Sequence, residues 1–162
     1  MLIKVIGYRL SVKVASYDIV FQEVPGEVTL ALNLSGCPCH CPGCHSQHLA
    51  EDIGEPIDEA LLDGLLDRYG EQITCVCFMG GDQDPAYVAR LAQHVHTKKL
   101  RTAWYSGRTH FPAEPESFDY VKLGGYVEAL GGLKSPTTNQ RFYRRQDGEW
   151  VDETYRFQRS AF

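Results

Sequence analysis

Ile73-Thr74-Cys75-Val76-Cys77-Phe78-Met79-Gly80-Gly81-Asp82-Gln83-Asp84-Pro85-Ala86-Tyr87-Val88-Ala89-Arg90-Leu91-Ala92-Gln93-His94-Val95 is the stretch whose reading decides the fold class. Its first seven residues form a short apolar run with β-branched members, which predicts a mostly buried strand. Gly80-Gly81-Asp82 ends that strand. Pro85 then stands where the first turn of a helix tolerates proline, and Val88, Leu91 and Val95 repeat at the helical period. Working upstream, Leu61, Leu62, Leu65, Leu66 and Tyr69 make one stripe of a helix between Ile57 and Tyr69, with Gly70 as its stop. Before it, Val28 to Leu34 reads as a strand that follows the turn Glu23-Val24-Pro25-Gly26-Glu27 and stops at Ser35-Gly36. Downstream, Leu100 to Tyr105 and Tyr120 to Leu123 give two further strands, separated by a segment broken by Pro112 and Pro115. Leu2 to Ile6 and Ser11 to Val14 predict short N-terminal strands, a hairpin turned by Gly7. Strands alternating with helices at this spacing predict an α/β fold with a parallel sheet, whose functional groups project from the C-terminal strand ends.

The 162 residues hold sixteen Lys and Arg against twenty-one Asp and Glu, a net charge of -5, with 43% hydrophobic and 23% charged residues. That size suits one domain, residues 1–162, and there is no internal repeat or low-complexity tract. An acidic balance is poor for holding nucleic acid through its phosphates, so no nucleic-acid partner is expected. No apolar stretch reaches the length of a membrane span, and the N-terminal segment lacks the apolar core and cleavage site of a secretory signal. The expectation is a cytoplasmic protein without a membrane partner, in which the six cysteines are reduced thiols for metal or catalysis.

Four of those thiols and two imidazoles fall within Cys37-Pro38-Cys39-His40-Cys41-Pro42-Gly43-Cys44-His45. Buried apolar cysteines would need neighbours that Pro, Gly and His do not supply. Cys41-Pro42-Gly43-Cys44-His45 fits covalent haem attachment, but that leaves Cys37 idle and needs an export route. As a redox dithiol, Cys41-Pro42-Gly43-Cys44 would belong at a helix start that the sequence does not signal. Two readings remain open. A structural zinc ion could take four ligands from Cys37, Cys39, Cys41, Cys44 and the histidines, although no second Cys pair of suitable spacing follows. Alternatively Cys37, Cys41 and Cys44, spaced C-x3-C-x2-C, could hold a [4Fe-4S] cluster and leave one iron without a protein ligand, the open position of a catalytic metal site.

The second reading resembles the radical S-adenosylmethionine superfamily. There three cysteines follow a strand, a Gly-Gly-Glu or Gly-Gly-Asp stretch ends the next one, and the cofactor's amino and carboxylate groups chelate the free iron. Gly80-Gly81-Asp82 looks like that second element; glycines admit close backbone approach and a carboxylate fixes an ammonium. The short chain suits the smallest branch, the activating proteins of anaerobic ribonucleoside-triphosphate reductase. Phe21-Gln22-Glu23-Val24-Pro25-Gly26-Glu27-Val28, Cys41-Pro42-Gly43-Cys44-His45-Ser46, Tyr105-Ser106-Gly107 and Ser135-Pro136-Thr137-Thr138-Asn139-Gln140-Arg141-Phe142-Tyr143 are similar to strings of that branch.

The resemblance implies a small partial (β/α) barrel of the radical SAM type, extended by short N-terminal strands. It implies two cofactors, a [4Fe-4S] cluster and S-adenosyl-L-methionine, and cluster ligands Cys37, Cys41 and Cys44. Cofactor contacts are expected from Gly80, Gly81, Asp82, Ser106 and Lys122, with His45 replacing the aromatic residue that relatives carry at the position of Gly43. No catalytic residue is expected beyond the cluster ligands. The implied activity forms a glycyl radical on the glycyl-radical subunit of the reductase, with a reduced flavodoxin or ferredoxin-type protein as electron donor. Activation of another glycyl-radical enzyme, or a non-catalytic zinc-binding module, is the alternative.

Asp119 and Lys122 resemble an Asp-x-x-Lys pattern of the activating proteins. Cys39 is expected as a bystander, since a fourth thiolate would fill the open iron. Cys75 and Cys77 share one face of a strand and are expected as buried apolar thiols. His94 and His96 are expected at the solvated side or end of their helix. Arg141, Arg144, Arg145, Arg156 and Arg159, interleaved with Phe142, Tyr143, Trp150, Tyr155 and Phe157, are expected to form the reductase-binding surface.

Overall fold

A computed structural model describes residues 12–158. The strand expected at Leu2 to Ile6, Ser11 and Arg159 lie outside the described residues. Eight strands form one sheet: β1 Lys13–Val20, β2 Thr29–Leu34, β3 Glu55–Pro56, β4 Cys75–Met79, β5 Arg101–Tyr105, β6 Tyr120–Leu123, β7 Arg141–Gln146 and β8 Glu149–Asp152. Their spatial order is β3-β1-β2-β4-β5-β6-β7-β8. Pairing is parallel from β2 through β4 and β5 to β6, as the alternation of strands and helices predicts. It is antiparallel on both flanks. The fold is therefore mixed α/β, with four parallel strands at its centre.

Lys13 and Val14 of β1 fall within the strand expected at Ser11 to Val14, but the rest of the flanks is not legible as strand. Ser16 to Val20 and Arg141 to Gln146 carry polar residues on exposed positions, which hides the period-two signal of a half-buried strand. The turn between β7 and β8 holds Asp147 and Gly148 with φ of 52° and 81°, the left-handed pair of a tight hairpin.

Helices α1 Glu59–Tyr69 and α2 Pro85–His96 begin where their caps dictate. The Asp58 carboxylate accepts from the Leu61 amide at 2.8 Å and the Asp84 carboxylate from the Tyr87 amide at 3.3 Å, each satisfying an otherwise orphaned N–H. Leu62, Leu65 and Leu66 of α1 and Val88, Leu91 and Val95 of α2 join Leu30, Leu32, Val76, Phe78, Trp104 and Val121 in one apolar core. Side chains alternate across each strand, so Cys75, Cys77, Ala103 and Tyr120 fall on the opposite face, where Val24 and Phe142 cover them. Both cysteines are fully buried.

At the N-terminal ends of the parallel strands the Glu27 carboxylate is buried. It accepts from the hydroxyls of Thr74 and Tyr120, each at 2.6 Å, and from the Arg101 guanidinium at 3.2 Å. This floor joins four consecutive strands of the sheet. No helix among the described residues is long and apolar enough to cross a membrane.

Candidate metal centre

Each parallel strand ends in a loop at the opposite end of the sheet from that floor. After β2 comes the cysteine loop, anchored at its root. The Ser35 amide donates to Lys13 (2.9 Å), the Gly36 amide to Glu51 (3.1 Å) and the Cys37 amide to Leu49 (2.9 Å), while the Gln83 side chain donates to the Ser35 carbonyl (2.8 Å). After β4 comes Gly80-Gly81-Asp82, after β5 Ser106-Gly107, and after β6 Gly124-Gly125. Cys37, Cys39, Cys41, Cys44, Gly80, Asp82, Gly107, Lys122 and Gly125 all line one cavity of about 170 Å³.

Gly81 has a φ of +85°, and a Cβ built there would stand 2.5 Å from a methyl of Val88 and 3.0 Å from Leu34. Only glycine lets the chain turn here against α2. The turn delivers Asp82, which is 2% exposed. Its carboxylate accepts from the Ser106 hydroxyl (2.5 Å), the Gly107 amide (3.0 Å) and the Cys39 thiol (3.7 Å). An ionised carboxylate offers about four lone-pair sites, so these donors leave one for a cation. The Gly80 carbonyl accepts from the Trp104 indole (2.8 Å); the Gly81 carbonyl accepts from the Asp84 amide (3.0 Å).

Ser106 is buried, and besides gripping Asp82 its hydroxyl accepts from the Arg108 amide at 3.0 Å. The Lys122 ammonium donates to the carbonyls of Ser106 (3.2 Å) and Gly124 (3.0 Å) and lies 5.5 Å from the centre of the Tyr105 ring. Burial lowers the pKa of this ammonium, and Asp82, Cys41 and Cys39 oppose that shift. Tyr105 hydrogen-bonds through its hydroxyl to the Glu23 carbonyl. Burial, with the nearby Cys77, pushes its pKa well above the ordinary value.

The structure brings Cys37, Cys41 and Cys44 to one cavity, but among the described residues the tightest donor group is different. One donor atom each from Cys37, Cys39 and Asp82 lie within 4.8 Å of one another. Cys39, expected as a bystander to the cluster, thus lies beside Cys37 and Asp82 on the cavity wall. Burial first, then the Asp82 carboxylate and Cys37, push its thiol up to about 12.

Beyond the cavity a groove of about 600 Å³ opens, sharing Cys44, Tyr105, Lys122 and Gln140 with it and adding His45, Leu133 and Phe157. His45 is exposed at this groove, its ring 5.7 Å from that of Tyr126.

Several expectations need revision. Asp119 sits at the other end of the strand region from the cavity, accepting from the Thr102 amide and bonding His96, each at 2.9 Å; it does not join Lys122 in the site. His94 and His96 are paired rather than freely solvated. His94 bonds Asp63 at 2.6 Å, and His96 also meets the Thr102 hydroxyl at 3.0 Å. Phe142 is fully buried in the core, so it is not an exposed interface anchor. Sequence reasoning missed Gly124-Gly125 and Tyr126, although a double glycine directly after a strand is the same signal that marked Gly80-Gly81.

Thiols clustered at the C-terminal ends of parallel strands, with polar backbone and one buried cation around them, define an α/β metalloprotein with a sulfur-ligated centre. A family model described as 4Fe-4S single cluster domain matches residues 24–122, and the chain belongs to that family. The match runs from the turn before β2 to Lys122 of β6, which is the parallel core together with its loops. No curated protein and no solved structure matches the chain. The donor set fits the group: four thiols on one cavity are soft ligands suited to iron and sulfide, and Lys122 offsets part of their charge. Cys37, Cys41 and Cys44 with C-x3-C-x2-C spacing would hold the cluster, with Cys39 beside them.

Proposed function

We propose that this iron–sulfur protein cleaves S-adenosyl-L-methionine reductively and forms a glycyl radical on the glycyl-radical subunit of anaerobic ribonucleoside-triphosphate reductase. One observation carries the reading: the cysteines of the loop after β2, and Gly80 and Asp82 after the adjacent parallel β4, line a single cavity. The sequence strings around Val24, Cys41, Tyr105 and Asn139 support the particular branch, as does a parallel strand–helix core compatible with a small partial barrel of the radical SAM type.

Held by Cys37, Cys41 and Cys44, the reduced cluster would supply one electron for cleavage of the carbon–sulfur bond of S-adenosylmethionine, and through that cleavage the means to remove hydrogen from a partner glycine Cα. The chain's own share is position and exclusion of water. Asp82 would offer its remaining lone-pair site to an N–H of the methionine amino group, while Ser106 and Gly107 fix the carboxylate's orientation. Lys122 holds the ends of β5 and β6 together through the Ser106 and Gly124 carbonyls. The adjoining groove, about 600 Å³, falls in the roughly 300–1,000 Å³ range of small-molecule sites. His45 and Tyr126, in contact on the wall of this groove, would offer ring faces to a nucleoside base. The electron donor in this reading is a reduced flavodoxin or ferredoxin-type protein.

The test is anaerobic reconstitution with iron and sulfide, followed by dithionite and S-adenosylmethionine. Formation of 5′-deoxyadenosine is the expected result, with a glycyl radical seen by electron paramagnetic resonance once the reductase is added. A colourless protein holding only zinc, or a brown one that forms no 5′-deoxyadenosine, overturns the proposal. A radical formed on a different glycyl-radical enzyme, but not on the reductase, overturns the choice of partner alone.

A further inference from the structure

Cys39 is the cysteine that a three-thiolate cluster does not use, yet its surroundings are built for it. Gly107 gives it room: a Cβ there would lie 2.6 Å from the Cys39 sulfur and 3.2 Å from its Cβ. Asp82 holds it from one side at 3.7 Å. Cys37 is close to both, its donor atom within 4.8 Å of each. No helix or strand includes residues 35–46, and His40, directly after Cys39, has a φ of +46°. That left-handed residue reverses the chain between Cys39 and Cys41. Both sulfurs thereby reach the same cavity.

We propose that Cys39 is a displaceable fourth ligand of the cluster, closing the last iron while the cavity is empty and stepping back to Asp82 when a chelating substrate takes its place. The cluster itself follows from the family; the identity of the displacing substrate rests on the S-adenosylmethionine reading. A cluster with four protein ligands has no labile corner, so the cap protects the resting protein from losing iron. The exchange breaks one iron–sulfur bond and moves no electron. The proton that the substrate ammonium gives up on coordinating is the one that the released thiolate takes to donate to Asp82 again. Asp82 therefore serves both states, as acceptor for the parked thiol and as anchor beside the bound substrate.

The experiment compares the full-length protein with Cys39→Ala and Cys39→Ser, each reconstituted anaerobically with ⁵⁷Fe. Before substrate is added, Mössbauer spectra of the unsubstituted protein should show four irons in all-sulfur coordination. In both variants one iron of the four should carry a nitrogen- or oxygen-type ligand. Mild ferricyanide oxidation should convert the variants, but not the unsubstituted protein, to a three-iron cluster visible by electron paramagnetic resonance. S-adenosylmethionine should then give the unsubstituted protein one distinct iron. Equal iron loss and identical spectra in all three proteins would overturn the cap, as would failure of both variants to assemble four irons, which would make Cys39 a permanent ligand. Release of 5′-deoxyadenosine is scored separately. If the spectra differ as expected and no 5′-deoxyadenosine forms, the cap stands and the radical reading falls. If 5′-deoxyadenosine forms and the spectra do not differ, the cap falls alone.

Discussion

Replacing Gly81 with Ala tests whether the turn after β4 is demanded by the fold itself. Two costs follow from its geometry. A φ of +85° places an L-residue in left-handed backbone at about 1–2 kcal/mol. The new methyl would then lie 2.5 Å from Val88 Cγ2 and 3.0 Å from Leu34 Cδ1. Val88 is fully buried on α2, so it has little room to retreat, and overpacking of this kind costs about 1–3 kcal/mol. The sum is about 2–5 kcal/mol, a fall in melting temperature of roughly 4–20 °C for a chain of this size. Urea unfolding of the metal-free protein measures it without interference from the cluster. The steric share is separable: in Gly81→Ala/Val88→Ala the close contact is gone, so the double variant should be about 1–3 kcal/mol more stable than the two single losses added together. A Gly81→Ala protein that unfolds within about 0.5 kcal/mol of the original would refute the packing reasoning. If that stable variant also failed to retain S-adenosylmethionine, Gly81 would be a ligand contact and not a fold requirement.

Lys122→Met removes the cation near Cys41 and Cys39 and strips donors from the Ser106 and Gly124 carbonyls. We expect about 1–3 kcal/mol of lost stability. The cluster's reduction potential should also become more negative, by about 60 mV for each 1.4 kcal/mol of lost electrostatic support in a one-electron couple. An unchanged potential in an anaerobic redox titration would sink this assignment. Burial, then hydrogen bonding to Glu27, raises the pKa of Tyr120 above its ordinary value of 10.0. The folded chain keeps this proton where the unfolded chain loses it, so the stability is fully present below pH 10 and declines as pH rises above it. Tyr120→Phe should flatten the alkaline limb of a stability profile measured in urea between about pH 9 and 11; an unaltered slope would show that the shift plays no part.

The parallel core was readable because its strands are continuously apolar and its helices carry caps and periodic stripes. Pro85 and Gly70 punctuate the helices, and Gly80-Gly81-Asp82 marks a strand end by chemistry that few other residues could supply; the capping carboxylates of Asp58 and Asp84 emerge only in the structure. The flanking strands were harder. β7 reads Arg-Phe-Tyr-Arg-Arg-Gln, and its charges look like a solvated tail until Phe142 is seen filling the face of β5 and β6. Spacing could nominate cysteines for a metal site, but not say which sulfurs meet. Cys39 was set aside by a pattern of three, and only the crossing of three loops shows it against Cys37, Asp82 and Gly107. Of the Asp-x-x-Lys pair only Lys122 reaches the cavity, because three residues along a strand carry a side chain from one end of the sheet to the other. The histidines of α2 were misjudged because Asp63 and Asp119, distant in sequence, arrive beside them through packing.

The carboxylate floor around Glu27 has a practical consequence. It pins β2, which leads into the cysteine loop, to the three parallel strands beside it, yet shares no side chain with that loop. One anchor of the sheet is thereby set at the pole away from the thiols. Thr74, Arg101 and Tyr120 offer handles for hardening the molecule against heat or handling while its chemistry stays untouched.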